Sequence, residues 1–324
     1  MSPDLHGLHH VTAIAGDPQS NLDFYAGVLG MRLVKRTVNF DDPASYHLYY
    51  GDALGRPGSL LTFFAWPGAP RGRTGTGEPT AVALAVPEGA LAYWRARLEA
   101  AGVSPGAVER RFGEAQIAFA DPDGMSIELV EDPGAQARAG WPDGPVPRER
   151  AIRGLHGVTL ESPRLEGSAA LLTGTLGFAA AGREQDRWRF RSVAGESGLR
   201  VDLVDRPEVP RGRLGAGIIH HVAWRAADDA AQRAWREILA GAGLHATDVR
   251  ERVYFRSIYF HEPGGVLYEI ATDAPGFTVD EAETELGSTL RLPPWLEGSR
   301  GPLEAALPAL RPPVTAPAGR GGAA

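Results

Sequence analysis

The chain contains no cysteine. Disulfides and thiolate-bound metals are therefore excluded, and any metal must rest on histidine, carboxylate or water. Long apolar runs are missing too: no stretch reaches membrane-spanning length, and the first twenty residues lack a basic start followed by an apolar core. Together these absences point to a cytoplasmic protein with no membrane partner. Positive charge is in deficit. Lys and Arg number 33 against 40 Asp and Glu, a net charge of −7, which argues against a broad nucleic-acid surface. What remains is a 324-residue chain, 43% hydrophobic and 23% charged, long enough for two ordinary domains with buried cores.

The chain repeats itself. "GLHHVTAIAGDPQSNLDFYAGVLGM" (7–31) and "GLHGVTLESPRLEGSAALLTGTLGF" (154–178) both open on Gly-Leu-His-x-Val and close on Leu-Gly and an apolar residue. Each reads as a short strand followed by a helix. A second signature closes the units: "IAFADPDGMSIELV" (117–130) and "IYFHEPGGVLYEIA" (258–271). Each is a strand, a turn built on Pro and Gly, and a strand carrying a glutamate. Two further strand-helix openings, at 80–103 and 217–244, complete four units at about 7–66, 80–132, 154–205 and 217–272. In the second unit Leu91, Trp94 and Leu98 fall at helical spacing, with Arg97 expected to snorkel to solvent. Each unit is expected to be β-α-β-β-β, an α+β architecture of four modules in two paired curved mixed sheets. The expected division is an N-terminal pair (1–132), a Pro/Gly-rich linker (133–152), a C-terminal pair (153–275) and an extension (276–324). In that extension 301–310 reads as a short docking helix and 311–324 as disordered.

This pattern resembles the vicinal oxygen chelate superfamily of glyoxalases, bleomycin-resistance proteins and extradiol dioxygenases, over about residues 7–290. "GLHHVT", "RTVNFDDPASYHLYYGDALGRPGSLLTFF", "GIIHHVAW" and "EPGGVLYEIATDAPGF" are similar to the hydroquinone-type ring-cleaving dioxygenases, such as the chlorohydroquinone dioxygenases. The resemblance implies an Fe(II) enzyme acting on a small aromatic substrate and O2, assembled as a homo-oligomer.

A two-histidine, one-carboxylate set leaves three positions open and suits non-heme Fe(II). Glu269 is the carboxylate candidate, because a charge in the apolar strand "GVLYEIA" is costly unless paired or bound to metal. Glu128, at the equivalent place in the second unit, reads instead as facing water or paired with an arginine. Adjacent strand residues face opposite sides, so each His-His pair supplies one ligand at most. The resemblance assigns the second of each pair, His10 and His221, and leaves His9 and His220 in the pocket around them. It also carries over Thr12, Tyr259 and Arg252 as pocket residues; Tyr259 alternatively reads as an ordinary strand aromatic and Arg252 as a solvated charge. His6, His47, His245 and His261 read as structural or surface groups.

His156 is a rival to His10, because His156, His221 and Glu269 also fit a two-domain catechol dioxygenase. The internal repeat opposes it: position 10 aligns with Gly157, and His156 with His9. A glyoxalase-like isomerase or lyase using Ni, Zn or Mn, and a binding protein for an aromatic ligand, are the other readings the sequence leaves open.

Overall fold

The computed structural model describes residues 3–315. Its elements follow the four repeats. The first module is β1 (Leu8–Ala15), α1 (Pro18–Leu22), β2 (Arg32–Asn39), β3 (Asp42–Gly51) and β4 (Leu60–Ala65). The second is β5 (Glu78–Val86), α2 (Leu91–Ala100), β6 (Glu109–Arg111), β7 (Glu114–Ala120) and β8 (Ser126–Glu131). The third is β9 (Leu155–Ser162), α3 (Leu165–Ala170), β10 (Phe178–Glu184), β11 (Arg187–Ser192) and β12 (Arg200–Asp205). The fourth is β13 (Ile219–Ala226), α4 (Asp229–Gly241), β14 (Arg250–Glu251), β15 (Arg256–His261) and β16 (Leu267–Thr272), and α5 (Arg300–Ala306) follows in the extension. No helix among the described residues is long and apolar enough to cross a membrane.

Local chemistry explains the repeated signatures. The Asp17 side chain accepts from the Ser20 backbone N–H at 2.7 Å, and Pro18 opens the helix behind this cap. Asp228 caps α4 in the same way, accepting from Ala231 N–H at 2.8 Å. The recurring Leu-Gly marks the exit from helix to strand. Gly30 and Gly177 have φ of +67° and +75°, the left-handed conformation that lets the chain turn out of the helix.

The sixteen strands form two curved eight-stranded mixed sheets, in the orders β14-β15-β16-β13-β1-β4-β3-β2 and β10-β11-β12-β9-β5-β8-β7-β6. Within a module the first strand runs parallel to the last; between modules the first strands pair antiparallel, β1 with β13 and β5 with β9. The first module thus shares a sheet with the fourth, and the second with the third. The break in the chain near residue 133 divides the sequence but not the sheets. Aromatic contacts join the two sheets: Phe24 meets Phe119 at 6.4 Å and Phe178 meets Trp224 at 5.2 Å between ring centroids. The Tyr25 hydroxyl donates to Asp121 at 2.9 Å across the same boundary.

Three expectations need correction. Arg97 does not snorkel. It is fully buried, and its guanidinium donates to the Gly27 and Val28 carbonyls at 2.8 and 2.7 Å, satisfying the open end of the first module's helical turn. The stretch after residue 132 is bound down rather than free: Arg138 donates to Asp132 and to the Glu196 carbonyl, and Val146 is buried. Finally, residues 311–315 of the segment expected to be disordered are held on the first module. Arg311 N–H donates to Gln19 Oε1 at 2.8 Å and Val314 N–H to Asp23 Oδ1 at 2.9 Å. Residues 316–324 lie outside the described residues.

The extension straps the first module. Tyr46 donates to the Pro308 carbonyl at 2.9 Å, just beyond α5, and Phe277 packs on Tyr49 and Tyr254 with ring centroids 5.1 and 4.9 Å away. Lys35 and Glu281 form an ion pair with both side chains fully buried; Asp280 joins it 2.6 Å from the Lys35 amine. Removing one member of such a pair leaves an uncompensated buried charge. Lys35→Met is therefore expected to destabilise the protein by about 3–5 kcal/mol, and Lys35→Met/Glu281→Leu to recover much of that loss. Equilibrium denaturant unfolding checks both values; a single variant as stable as the wild type would contradict the buried pairing.

Candidate metal centre

β1 and β13 meet in the middle of the first sheet, with Thr12 opposite His221 and His10 opposite Ala223; β16 lies beside β13 with Glu269 opposite Ala223. Three side chains from three strands converge there. His221 Nε2 lies 2.9 Å from Glu269 Oε2, His10 Nε2 lies 3.4 Å from the same oxygen, and the two ring nitrogens are 3.3 Å apart. All three residues are buried. Burial alone would raise the Glu269 carboxyl, but the adjoining His10 and His221 imidazoles outweigh it and hold the group well below the ordinary carboxylate range. Its Oε1 accepts from the buried Ser257 hydroxyl, while Oε2 has no hydrogen-bond partner of adequate geometry.

The neighbouring histidines decide how these nitrogens are protonated. His9 Nε2 lies 3.1 Å from the Thr272 carbonyl oxygen, which can only accept, so His9 carries its proton on Nε2. Burial, reinforced by His10, holds His9 well below the usual imidazole pKa and keeps it neutral. Its bare Nδ1 then accepts from His10 Nδ1 at 2.9 Å. In a neutral His10 ring, the form that can ligate a metal, Nε2 is then the unprotonated nitrogen, and it faces Glu269. The fourth module repeats the contact, with His220 Nδ1 2.8 Å from His221 Nδ1. Burial and then His221 lower His220 to about 3, so it too is neutral.

A cation fits this arrangement. With both imidazoles neutral, at most one proton, on His221 Nε2, is available among three donor atoms packed within 3.4 Å of one another. Donors about 2.1 Å from a common centre and at right angles lie about 3.0 Å apart, close to the spacing seen. The protein donors are two imidazoles and one carboxylate, a set that leaves coordination positions free for small molecules. A cavity of about 170 Å³ opens beside them, walled by Phe64, Trp66, Phe255 and Tyr259. An apolar cavity of about 150 Å³ accepts one benzene ring.

Of the remaining residues singled out in the sequence, Tyr259 and Arg252 line this cavity, and Thr12 does not. The Thr12 hydroxyl bonds that of Thr62 at 2.8 Å. Arg252 Nε donates to the Tyr259 hydroxyl at 3.2 Å, and its Nη1 lies 3.0 Å from Asp41 at the cavity mouth. Burial, with Glu269 nearby, raises the Tyr259 phenol well above its ordinary pKa, so it keeps its proton. His156 stands elsewhere, in the second sheet, with Nε2 3.2 Å from Glu114. In register with His10, Gly157 has no room even for a methyl group: a Cβ there would sit 2.5 Å from the Arg200 carbonyl oxygen. The second sheet's hollow is filled by ion pairs among Glu114, Arg189, Arg200 and Asp202, and Glu128 pairs with Arg111 at 2.7 Å.

A model of the glyoxalase/bleomycin resistance protein/dioxygenase superfamily matches residues 7–129 and 154–270. The chain belongs to that superfamily. Within it, MhqO of Bacillus subtilis, named a ring-cleaving dioxygenase, is 47% identical over 307 residues, covering 95% of this chain and 97% of that one. The chlorohydroquinone/hydroquinone 1,2-dioxygenase of Sphingobium indicum is 35% identical over 305 residues, covering 92% and 95%. A Bacillus subtilis crystal structure described as a dioxygenase superposes with a TM-score of 0.92 at 45% identity, covering 96% of this chain and 99% of that one. The protein is thus an enzyme of the ring-cleaving dioxygenase family within the superfamily.

Sequence reasoning missed several residues at this superfamily site. His47 lines the cavity beside His10 rather than serving as a remote structural group, and Phe64, Trp66 and Phe255 supply its walls. Ser257 was legible: it lies two residues before Tyr259, on the same strand face. His245 and His261 are exposed, away from the cavity. Variants grade the metal site. His10→Ala, His221→Ala and Glu269→Ala are each expected to lose stoichiometric metal, and His156→Ala to keep it. His9→Phe, which frees the His10 tautomer, is expected to weaken metal binding by about 10–100-fold. Metal analysis after equilibrium dialysis checks the series; full metal retention in Glu269→Ala would refute the assignment.

Proposed function

We propose that this enzyme is an Fe(II)-dependent dioxygenase that opens a hydroquinone-type, para-diol ring with O2. The observation that carries the reading is the convergence of His10, His221 and the unpartnered Glu269 oxygen beside a cavity sized for one aromatic ring. The hydroquinone-cleaving relative supports the substrate class. His10, His221 and Glu269 would hold Fe(II), which supplies the redox chemistry that lets O2 react with the ring.

The chain's own residues do the remaining work. Phe64, Trp66 and Phe255 grip the ring faces and keep water out. Thr272 and His9 fix the His10 ring, as set out above. Tyr259 accepts from Arg252 and so has its own O–H free to donate toward oxygen atoms in the cavity. The Arg252 guanidinium lies where it would steady an anionic ring-opened product. His220, neutral and lining the cavity, offers a hydrogen-bonding imidazole to the bound ring's oxygens.

A catechol-type extradiol cleavage uses the same donors and differs in which diol is seated. A glyoxalase-like isomerase is less well supported, because such sites carry a second carboxylate and the cluster among the described residues contains only Glu269. Protein loaded anaerobically with Fe(II) is expected to consume one O2 per hydroquinone, to stop on chelation and to recover on Fe(II) addition. Oxygen electrode traces with hydroquinones and catechols side by side check this. Uptake with catechols alone would reassign the substrate, and iron-free activity without O2 would overturn the reaction.

A further inference from the structure

A second opening, a groove of about 560 Å³, shares none of its lining residues with the metal cavity. Three parts of the chain far apart in sequence build it. The first module gives Leu22, Arg32 and Arg36, the connecting stretch Trp141, and the extension Leu286 and Arg311. Leu22 and Leu286 are buried in its wall, and Trp141, Pro312 and Pro313 add flat faces. Every charged residue in that wall is an arginine. Among the described residues none of the three is ion-paired. Arg32 donates to the Ala53 and Glu283 carbonyls at 2.5 and 2.7 Å, and Arg36 to the Ser288 carbonyl at 3.1 Å. Arg36 Nε is buried with no partner, and Arg311 bonds only through its backbone.

This is unusual for the chain, which holds 40 acidic residues against 33 basic ones. In the second sheet, neighbouring arginines are interleaved with carboxylates: Arg189 with Glu114 and Asp202, and Arg200 with Glu114. At the groove no carboxylate is placed, and residues 1, 2 and 316–324 contain no Asp or Glu that could supply one. Like charges around one groove repel, and an anion seated between them relieves that repulsion. A guanidinium also carries five donors in a fixed fork that matches a carboxylate, and most of these donors remain free here. The leucine, tryptophan and proline surfaces ask for more than a small hydrated ion. They are covered when the anion carries a flat apolar body. The metal cavity, at about 170 Å³, is sized for one ring; this groove has room for more.

We propose that this groove is a second binding site, separate from the metal centre, for an aromatic carboxylate of more than one ring. Arg32, Arg36 and Arg311 hold the acid group, and the rings lie against Trp141 and the two prolines. The ligand thereby bridges the first module and the extension. Gln19 already ties these parts together: its Oε1 accepts from Arg311 N–H at 2.8 Å, and its Nε2 donates to the Arg311 carbonyl at 3.3 Å. Ligand binding and docking of residues 310–313 therefore strengthen each other, because both use the same contact.

The test titrates 2-naphthoate into the metal-loaded protein by calorimetry, with 2-naphthamide and inorganic phosphate as comparison probes. Wild type is expected to bind one 2-naphthoate with a Kd of about 10–100 µM, more weakly as salt rises. The amide and phosphate are each expected to bind at least about tenfold less tightly, since each lacks one half of the recognition. Arg36→Gln and Arg311→Gln are each expected to weaken 2-naphthoate binding about tenfold. The Arg311 side chain makes no hydrogen bond among the described residues, so Arg311→Gln is expected to leave the unfolding midpoint unchanged. Gln19→Ala is expected to weaken binding about threefold through the loosened extension. Phe64→Ala, in the wall of the metal cavity, is expected to bind 2-naphthoate as wild type does. Hydrogen exchange gives a second readout: the Arg311 and Val314 amides are expected to exchange more slowly with 2-naphthoate bound. Absence of binding, or full affinity in both arginine variants, would overturn the site. Loss of binding in Phe64→Ala alone would place the ligand in the metal cavity and overturn it too. Phosphate binding as tightly as 2-naphthoate would overturn the aromatic class.

Discussion

The antiparallel seam between β1 and β13 is the constraint on which the site depends. These strands open modules more than 200 residues apart, and each carries His-His-Val. Side chains alternate along a strand, so a one-residue slip would turn His10 and His221 out of the sheet's hollow together. The seam is fixed by apolar residues on both sides, among them Leu8, Val11, Val222 and Trp224, all fully buried. It is also fixed by the partner strands, because β16 brings Glu269 level with the same point of β13. The carboxylate has no access to water, so its burial is tolerated only because two imidazoles, Ser257 and a place for a cation surround it.

The two sheets show what happens to one architecture with and without that requirement. In the first, the hollow holds donors that lack protons and an open cavity. In the second, the equivalent positions are Gly157 and Glu128, and the space is taken up by arginine-carboxylate pairs. Glu114 illustrates the change: burial would raise it, but His156, Arg200 and Arg189 lower it to about 2, so it is firmly ionised and fully engaged. The second sheet keeps the fold, and guanidinium groups supply the positive charge in its hollow.

Much of this was legible in the sequence. The repeats and the module type follow from the recurring Gly-Leu-His-x-Val and Pro-Gly signatures; that the first module shares a sheet with the fourth, and the second with the third, is seen in the strand pairing. The rejection of His156 followed from one alignment position, and Gly157 stands there packed against Arg200. What the sequence hid was contact between distant segments. His47 lies in "SYHLYY", an alternation that gives its strand face but not the cavity that face borders. Arg97 shares the buried side of α2 with Leu91, Trp94 and Leu98, and only the first module's open carbonyls explain its burial. The extension after residue 276 docks partly through Lys35, paired with Asp280 and Glu281, and the burial of Lys35 has no local signal in the sequence.

The central claim is that one cation joins the first and fourth modules through His10, His221 and Glu269. Anomalous diffraction from iron-loaded crystals, recorded on both sides of the iron absorption edge, tests it most directly. The account predicts one strong iron peak about 2.1 Å from His10 Nε2, His221 Nε2 and Glu269 Oε2, and none in the second sheet. A peak beside His156, or none at the seam in fully loaded protein, would contradict it.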